Sequence, residues 1–144
     1  MKKIGVTFST FDLLHPGHIL MLQDCKTVCD HLIIGIQSDP TIDRKDKNDK
    51  YSKISGKPKN STIQTLEERL MMIKAIKFVD EVFIYDTEQD LYDWLSNNKW
   101  DVRILGSDWE DKNFTGHDIE GEIYFHKRDH DWSSTAFRER LKNS

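Results

Sequence analysis

Two short runs of apolar residues constrain the fold more than any other feature of the sequence. Ile4 to Phe8 form the first run, and residues 32–36 form a second one that is nearly continuous and β-branched. Such runs are typical of strands that are covered on both faces. Residues 17–29 supply a helix between them, since Pro16 suits the first helical position and apolar residues follow at helical spacing. The pattern predicts a strand–helix–strand unit with parallel strands.

The rest of the chain continues the alternation. Thr65 to Glu68 form a capping-box pattern in front of a helix whose apolar face extends to residue 76. A chain of 144 residues has the length of one ordinary domain, so we expect residues 1–144 to form a single α/β domain. Its sheet should be mostly parallel and five-stranded, with helices on both faces. The remaining predicted elements are strands over 81–85, 102–105 and 123–125 and helices over 90–97 and 135–141.

The charge and composition narrow the range of partners. The net charge of -4 provides no global basic field, so we expect neither nucleic acid nor an anionic membrane as a partner. No apolar run approaches the length of about 20 residues that a membrane span needs, and the first residues lead into a strand rather than a signal peptide. Cys25 and Cys29 build no disulfide framework, which fits a reducing compartment. We therefore expect a cytoplasmic protein.

Two long connections interrupt the alternation, over residues 38–64 and 107–121. Both leave the carboxyl ends of predicted strands, where open α/β sheets bind their ligands. The first is polar and rich in lysine, and it is either a solvated excursion or a lid that closes over a phosphate ligand. Its lysines are Lys45, Lys47, Lys50, Lys53, Lys57 and Lys59.

The most specific motif joins the first strand to the first helix, where the chain reads Ser9-Thr10-Phe11-Asp12-Leu13-Leu14-His15-Pro16-Gly17-His18. Two imidazoles, three residues apart with a glycine between them, stand where a helix begins. Free backbone N–H groups and the helix dipole favour an anion there, and a glycine allows a phosphate to approach the backbone closely. His15 and His18 could also be a helix cap and a surface residue, and this motif alone does not decide between the two interpretations.

A second strand-to-helix junction lies near the carboxyl end. Arg128 precedes a run with hydroxyl groups at the start of the last helix, Ser133-Ser134-Thr135-Ala136-Phe137-Arg138. In a doubly wound sheet both helix starts can face one edge, and a triphosphate could run between them. The groups at these two junctions that would compensate its charge are His15, His18, Arg128 and Arg138.

These two motifs, in this order, resemble the HIGH-type nucleotidyltransferase superfamily. Within it the chain is similar to the cytidylyltransferase family, in particular to the glycerol-3-phosphate cytidylyltransferases, over about residues 3–141. The segments Val79-Asp80-Glu81-Val82 and Gly106-Ser107-Asp108-Trp109-Glu110 carry this narrower resemblance. It implies a Rossmann-like nucleotidyltransferase fold and a homodimer. The implied reaction joins CTP and a small alcohol phosphate, foremost sn-glycerol 3-phosphate, to a CDP-alcohol and pyrophosphate, with Mg2+.

The resemblance also implies roles by motif position. His15 and His18 would bind the triphosphate and stabilise the transition state, and Lys45 and Lys47 would reach the phosphates. Asp108 would contact the nucleotide, and Ser9, Thr10 and Phe11 would meet it with backbone. The β- and γ-phosphates or the acceptor phosphate would be held by Arg128, Ser133, Ser134 and Thr135. The implied catalytic set is His15, His18, Lys45, Arg128 and Ser134, and no residue is implied as a metal ligand.

The chain departs from the family pattern in ways that affect specificity. Ser9 replaces the usual glycine, Asp129 replaces a threonine, and Lys77 replaces an arginine, which loses the bidentate fork. Residues 56–60, followed by Glu68-Arg69, are similar to the sugar-phosphate adenylyltransferases of the same superfamily. The alternative function is therefore an ATP-dependent adenylyltransferase that acts on a sugar phosphate or a similar acceptor.

Other interpretations also stay open. A nucleotide-binding module without catalysis would keep the same motifs. Trp109 either stacks on a base or packs under its loop, Asp80 either caps local structure or binds a ligand, and Arg69 either pairs with a carboxylate or contacts the nucleotide. A zinc site could draw its ligands from His15, His18, Cys25, Cys29, His126 and His130, although helical spacing separates the cysteines from the first histidines.

Overall fold

The computed structural model describes residues 2–44 and 61–144 of the chain. In these residues five strands form one sheet in the order β3-β2-β1-β4-β5, and every neighbouring pair is parallel. The expected five-stranded, parallel α/β sheet is thereby confirmed. The strands are β1 (Ile4–Ser9), β2 (His31–Gln37), β3 (Glu81–Tyr85), β4 (Val102–Gly106) and β5 (Glu122–His126).

The helices that the sequence predicts are present, with their ends shifted by one or two residues. The described helices are α1 (Pro16–Val28), α2 (Thr41–Arg44), α3 (Leu66–Lys74), α4 (Glu88–Asn97) and α5 (Ser134–Lys142), and a 3-10 turn spans Ser107–Trp109. The capping box at Thr65 and Glu68 is confirmed. Within the described part of the chain, no helix has both the length and the apolar character needed to cross a bilayer.

Two expectations about helices need correction. The fourth helix begins at residue 88 rather than 90, because Thr87 caps it and Asp90 closes a capping box. The predicted loop over 38–64 contains the short helix α2, whose Asp43 is buried and accepts hydrogen bonds from the amide of Gln37 (3.1 Å) and the backbone of Glu88. The helix was missed because its buried face is polar rather than apolar.

The core has two layers because β2 is covered on both faces. Leu32, Ile34 and Ile36 face a cluster that includes residues of α1, whereas Ile33 faces the opposite side. One cluster contains Leu22, Cys25, Leu32, Ile34, Ile36 and Ile73, and the other contains Val6, Ile33, Tyr85, Leu91 and Leu95. The apolar run of β2 is nearly continuous because the strand is buried on both faces.

The strand order reverses between β1 and β4. In doubly wound sheets the ligand crevice lies outside the carboxyl ends of the strands at this reversal. Here those ends are Ser9 and Gly106, which lead into the first motif and the 3-10 turn. At the opposite edge, Asp80 pairs with Lys26 (2.7 Å) and accepts the backbone N–H of Leu32 (2.8 Å), so Asp80 has a structural role.

Candidate active site

The segment that joins β1 to α1, residues 10–15, has a strained backbone, and we call it the amino-terminal loop. Phe11 and Leu13 have φ angles of 53° and 51°, a left-handed conformation that bulky residues rarely adopt. Both side chains are buried, and Phe11 is only 2% exposed. Strain of about 1–3 kcal/mol per residue persists only where packing imposes it, and it is frequent at functional sites. The loop is therefore held in one conformation directly before α1.

Arg69 attaches the amino-terminal loop to the end of β2. The guanidinium is 1% exposed and donates to the carbonyl oxygens of Thr10 (2.9 Å), Gln37 (2.6 Å) and Ser38 (2.6 Å). Its Nε donates to the carbonyl of Gln64 at 3.3 Å. These donors meet main-chain carbonyls rather than a carboxylate or the cavity, so Arg69 acts as a brace beneath the site.

Asp12 connects the amino-terminal loop to two distant segments. Its carboxylate is 4% exposed and accepts hydrogen bonds from the backbone N–H groups of Ile63 and Gln64, both at 2.9 Å, and from Arg138 at 2.7 Å. Its carbonyl oxygen accepts the hydroxyl of Ser134 at 2.8 Å. Burial alone would raise the pKa of Asp12, but the hydrogen bonds from Gln64, Ile63 and Arg138 outweigh it and lower the pKa below its ordinary value. The carboxylate is ionised and fully engaged at neutral pH.

His15 and His18 orient each other at the start of α1. His15 caps the helix through Nδ1, which accepts the backbone N–H of Gly17 at 3.0 Å. The backbone N–H of His15 donates to Nδ1 of His18 at 3.1 Å, and the two ring centroids lie 3.9 Å apart. A neutral imidazole whose Nδ1 accepts a hydrogen bond carries its proton on Nε2. Each ring can therefore donate an Nε2–H to an anion.

The surroundings keep both imidazoles neutral. Burial, followed by the His15 ring, lowers the pKa of His18 to about 3. Burial also lowers the pKa of His15, and His130 and Arg128 lower it further. A negative charge bound beside these rings would favour protonation and strengthen the hydrogen bonds that they donate. The pair is thus suited to a phosphate.

The second helix start is preceded by residues 127–133, which we call the carboxyl-terminal strap. Arg128 donates to the carbonyl of Trp132 at 2.8 Å, and the backbone N–H of Trp132 donates to Nδ1 of His130 at 3.1 Å. Ser133 caps α5 by accepting a first-turn N–H at 2.9 Å. The conformation of the strap is thus set by its own hydrogen bonds.

A cavity of about 490 Å³ lies between the two helix starts. Its volume is within the range of about 300–1,000 Å³ that is usual for small-molecule sites. The two helix starts meet at one edge of the sheet, as expected, and both present the positive end of a helix dipole. At α1 the first-turn N–H groups are used within the cap, because Pro16 has none and those of Gly17 and His18 donate to His15. The lining residues are His15, Pro16, His130, Asp131, Trp132, Ser133, Ala136, Phe137 and Arg140.

Several groups that were expected to bind the nucleotide are engaged within the chain. The backbone N–H of Phe11 donates to the hydroxyl of Ser9 at 3.4 Å, and the carbonyl of Thr10 accepts from Arg69. The hydroxyl of Ser134 donates a hydrogen bond to the carbonyl oxygen of Asp12 in the amino-terminal loop. These bonds hold the loops around the cavity, and ligand contact through the same residues stays a prediction.

The remaining predicted residues are distributed around the site. Asp108 is exposed in the 3-10 turn, and the neighbouring Ser107 accepts the backbone N–H of Arg128 at 3.5 Å, which brings this turn beside the strap. Thr135 is exposed in the first turn of α5. Lys45 and Lys47 lie outside the described residues, as does most of the predicted lid.

Sequence reasoning missed the roles of Asp12 and His130. Asp12 stands inside the first motif, but the partners of its side chain are 51 or more residues away in the chain. The available signal was a carboxylate between two apolar residues, since a buried charge must be paired. His130 was considered only as a zinc ligand, although it lines the cavity beside His15.

The zinc alternative finds no support in the described ranges. Across residues 2–44 and 61–144, no group of three or more His, Cys, Asp or Glu side chains is arranged to hold a metal ion. Cys25 and Cys29 lie in the core, where burial raises the pKa of both thiols. His126 pairs through Nδ1 with Asp24 at 2.7 Å.

The strand order and the position of both helix starts define a Rossmann-like α/β protein whose ligand crevice lies at the carboxyl ends of its strands. The chain belongs to the cytidylyltransferase-like family, whose model matches residues 6–140.

Two similar proteins cover nearly all of this chain. Glycerol-3-phosphate cytidylyltransferase of Bacillus subtilis (strain 168) is 32% identical over 142 residues, which are 98% of each chain. Bifunctional protein HldE of Campylobacter jejuni (subsp. jejuni serotype O:6, strain 81116) is 34% identical over 142 residues, which are 99% of this chain. The chain spans only 28% of the length of that Campylobacter protein.

Solved structures agree on the fold. The lipopolysaccharide core biosynthesis protein from Thermoplasma volcanium GSS1 superposes with a TM-score of 0.64 and 23% identity, over 90% of this chain and 100% of that one. Pantoate-beta-alanine ligase from Francisella tularensis gives a TM-score of 0.53 and 16% identity, over 98% of this chain and 69% of that one. At these identities the likeness concerns the fold alone.

Proposed function

We propose that the protein transfers a cytidylyl group from CTP to a small alcohol phosphate, with sn-glycerol 3-phosphate as the foremost acceptor. The observation that carries the proposal is the pair of neutral imidazoles at the start of α1, His15 and His18. Both have Nδ1 engaged as an acceptor and Nε2–H left to donate, and His15 lines a cavity that a second helix start borders. The similarity to the Bacillus glycerol-3-phosphate cytidylyltransferase supports the choice of nucleotide and acceptor.

The reaction requires alignment and charge stabilisation more than proton transfer. An oxygen of the acceptor phosphate attacks the α-phosphorus of CTP, and the bond to the oxygen that bridges to the β-phosphate breaks. Pyrophosphate leaves with the electron pair of that bond. The attacking oxygen is already anionic, so no residue has to deprotonate it. Donors fixed before the reaction, such as His15 and His18, stabilise the charge that develops, and each is worth about 2.7–4 kcal/mol.

Other groups would complete the phosphate site. The first turn of α5 borders the cavity on the strap side. Arg128 would reach the phosphates from the strap, and Lys45 and Lys47 would approach from the lysine-rich segment. Mg2+ would enter with the nucleotide, because triphosphate oxygens are the ligands that it prefers. A homodimer is part of the same proposal.

An ATP-dependent adenylyltransferase acting on a sugar phosphate is the second candidate. It is favoured by the similarity of residues 56–60 to such enzymes, and these residues lie outside the described part of the chain. Glu68 and Arg69 contribute less to this candidate, because Glu68 closes the capping box of α3 and Arg69 donates to backbone carbonyls. The choice of base therefore needs a direct assay.

The test is pyrophosphate release from each of the four nucleoside triphosphates, with Mg2+, against a panel of phosphorylated alcohols and sugars. Turnover with CTP and an alcohol phosphate only is the expected result. Turnover with ATP and a sugar phosphate only would replace the proposal by the second candidate. Nucleotide binding without any turnover would leave a binding module and contradict both enzymes.

A further inference from the structure

A third histidine, His130, lies beside the imidazole pair. Its ring fills the space next to Gly17: a Cβ added at Gly17 would lie 2.7 Å from Cε1 of His130 and 2.8 Å from Cε1 of His15. The close approach that glycine permits is therefore used by two imidazole rings. His130 and His15 also line the same cavity.

The strap fixes the orientation of His130. Its Nδ1 accepts the backbone N–H of Trp132 at 3.1 Å, and its ring lies 5.4 Å from the ring of Trp132, measured between centroids and tilted by 40°. Trp132 is itself held through its carbonyl by Arg128. With Nδ1 accepting, the neutral ring carries its proton on Nε2. In His130, as in His15 and His18, Nδ1 accepts a backbone N–H and Nε2–H can donate. His130 differs from the other two in lying on the strap.

We propose that His130 is a third imidazole donor, which binds the β- and γ-phosphates of the nucleotide and the leaving pyrophosphate. The inference rests on the proposed function. It assigns His130 to these phosphates because the ring belongs to the strap that leads into α5 and lines the cavity together with Ser133, the cap of that helix. The resemblance assigns no role to His130, so this role does not follow from it.

The charges around the ring agree with this assignment. Arg128 and Arg140 lie on the strap and on α5, and Asp131 is the acidic residue of the cavity lining. His130 is also close enough to contribute to the lowered pKa of His15. Like charges that crowd in the free protein become favourable when a triphosphate lies between them.

The test compares His130→Ala and His130→Gln with the wild type and with His117→Ala. Glutamine retains a donor near the position of Nε2, and His117 is an exposed histidine on another loop. We expect His130→Ala to lower kcat/KM for the nucleotide about tenfold to a hundredfold, the equivalent of one hydrogen bond to a charged group. His130→Gln should recover part of the loss, and His117→Ala should match the wild type.

A binding measurement separates a phosphate contact from a structural role. Calorimetry with pyrophosphate and with CMP should show pyrophosphate binding about tenfold weaker in His130→Ala and CMP binding unchanged. Equal weakening of both ligands, no change in either, or tighter binding in the alanine variant would overturn the inference. If the wild type releases no pyrophosphate with any nucleotide, the proposed function fails, and pyrophosphate binding still decides the role of His130.

Discussion

The two helix starts that border the cavity are built in opposite ways. The start of α1 follows a buried, strained loop, in which Phe11 and Asp12 are 2% and 4% exposed. The start of α5 has an ordinary serine cap, and no residue of that helix is buried. The first helix start is therefore part of the core, whereas the second is attached to it through polar contacts at Asp12. From this difference we expect the imidazole pair to be rigid and α5 to move more readily relative to the core.

Removing the Arg69 side chain that braces the amino-terminal loop should have the largest effect on the free energy of unfolding. Arg69→Met leaves four carbonyls without their donor, so we expect the free energy of unfolding to fall by about 3 kcal/mol or more. Urea unfolding measures this change. Lys74→Met, on the exposed side of the same helix, is the control and should stay within about 0.5 kcal/mol of the wild type. A loss below 1 kcal/mol for Arg69→Met would refute the bracing role.

Weakening the hydrogen bonds between Asp12 and α5 should lower the free energy of unfolding by less, and its effect should be confined to α5. Asp12→Asn keeps the shape but removes the charge that faces Arg138, and we expect a loss of about 2 kcal/mol. In Asp12→Asn we expect the backbone amides of α5 to exchange faster than in the wild type and those of α1 to exchange at the wild-type rate. Asp111→Asn, an exposed substitution, should change neither. Equal acceleration in both helices would mean that the two helix starts form one unit.

The smallest effect is the contribution of His18 to the pH dependence of the free energy of unfolding. The pKa of His18 is about 3 in the folded protein, against about 6.5 in an unfolded chain. Between these values the unfolded chain binds more protons, so stability is lost as the pH falls. From pH 7.5 to 5.5 this one group removes about 1.4 kcal/mol. Urea unfolding of His18→Asn should show a decrease smaller by that amount, and equal decreases in both proteins would contradict the burial of a neutral His18.

Most of the fold could be predicted because it depends on local patterns. Burial of β2 on both faces produces an apolar run, and the hydroxyl residues Thr65 and Ser133 are N-caps that mark where their helices begin. The site depends on longer connections. Asp12 meets Arg138 across 126 positions, and Arg69 meets Thr10 across 59.

The strain of the amino-terminal loop could not be predicted either. Phe11 and Leu13 are ordinary apolar residues with no preference for positive φ, and only the packing of the folded chain imposes it. The motif therefore predicts where the chemistry lies, and the structure adds the contacts that hold the motif in place.

The most direct test of the account is the turnover of His18→Ala. The central claim is that a neutral imidazole, fixed by the backbone of His15, stabilises charge on the reacting phosphates. With the nucleotide and acceptor that the wild type uses, pyrophosphate release by the purified, folded variant should fall at least about 100-fold. A variant whose turnover stays within about threefold of the wild type would contradict the account.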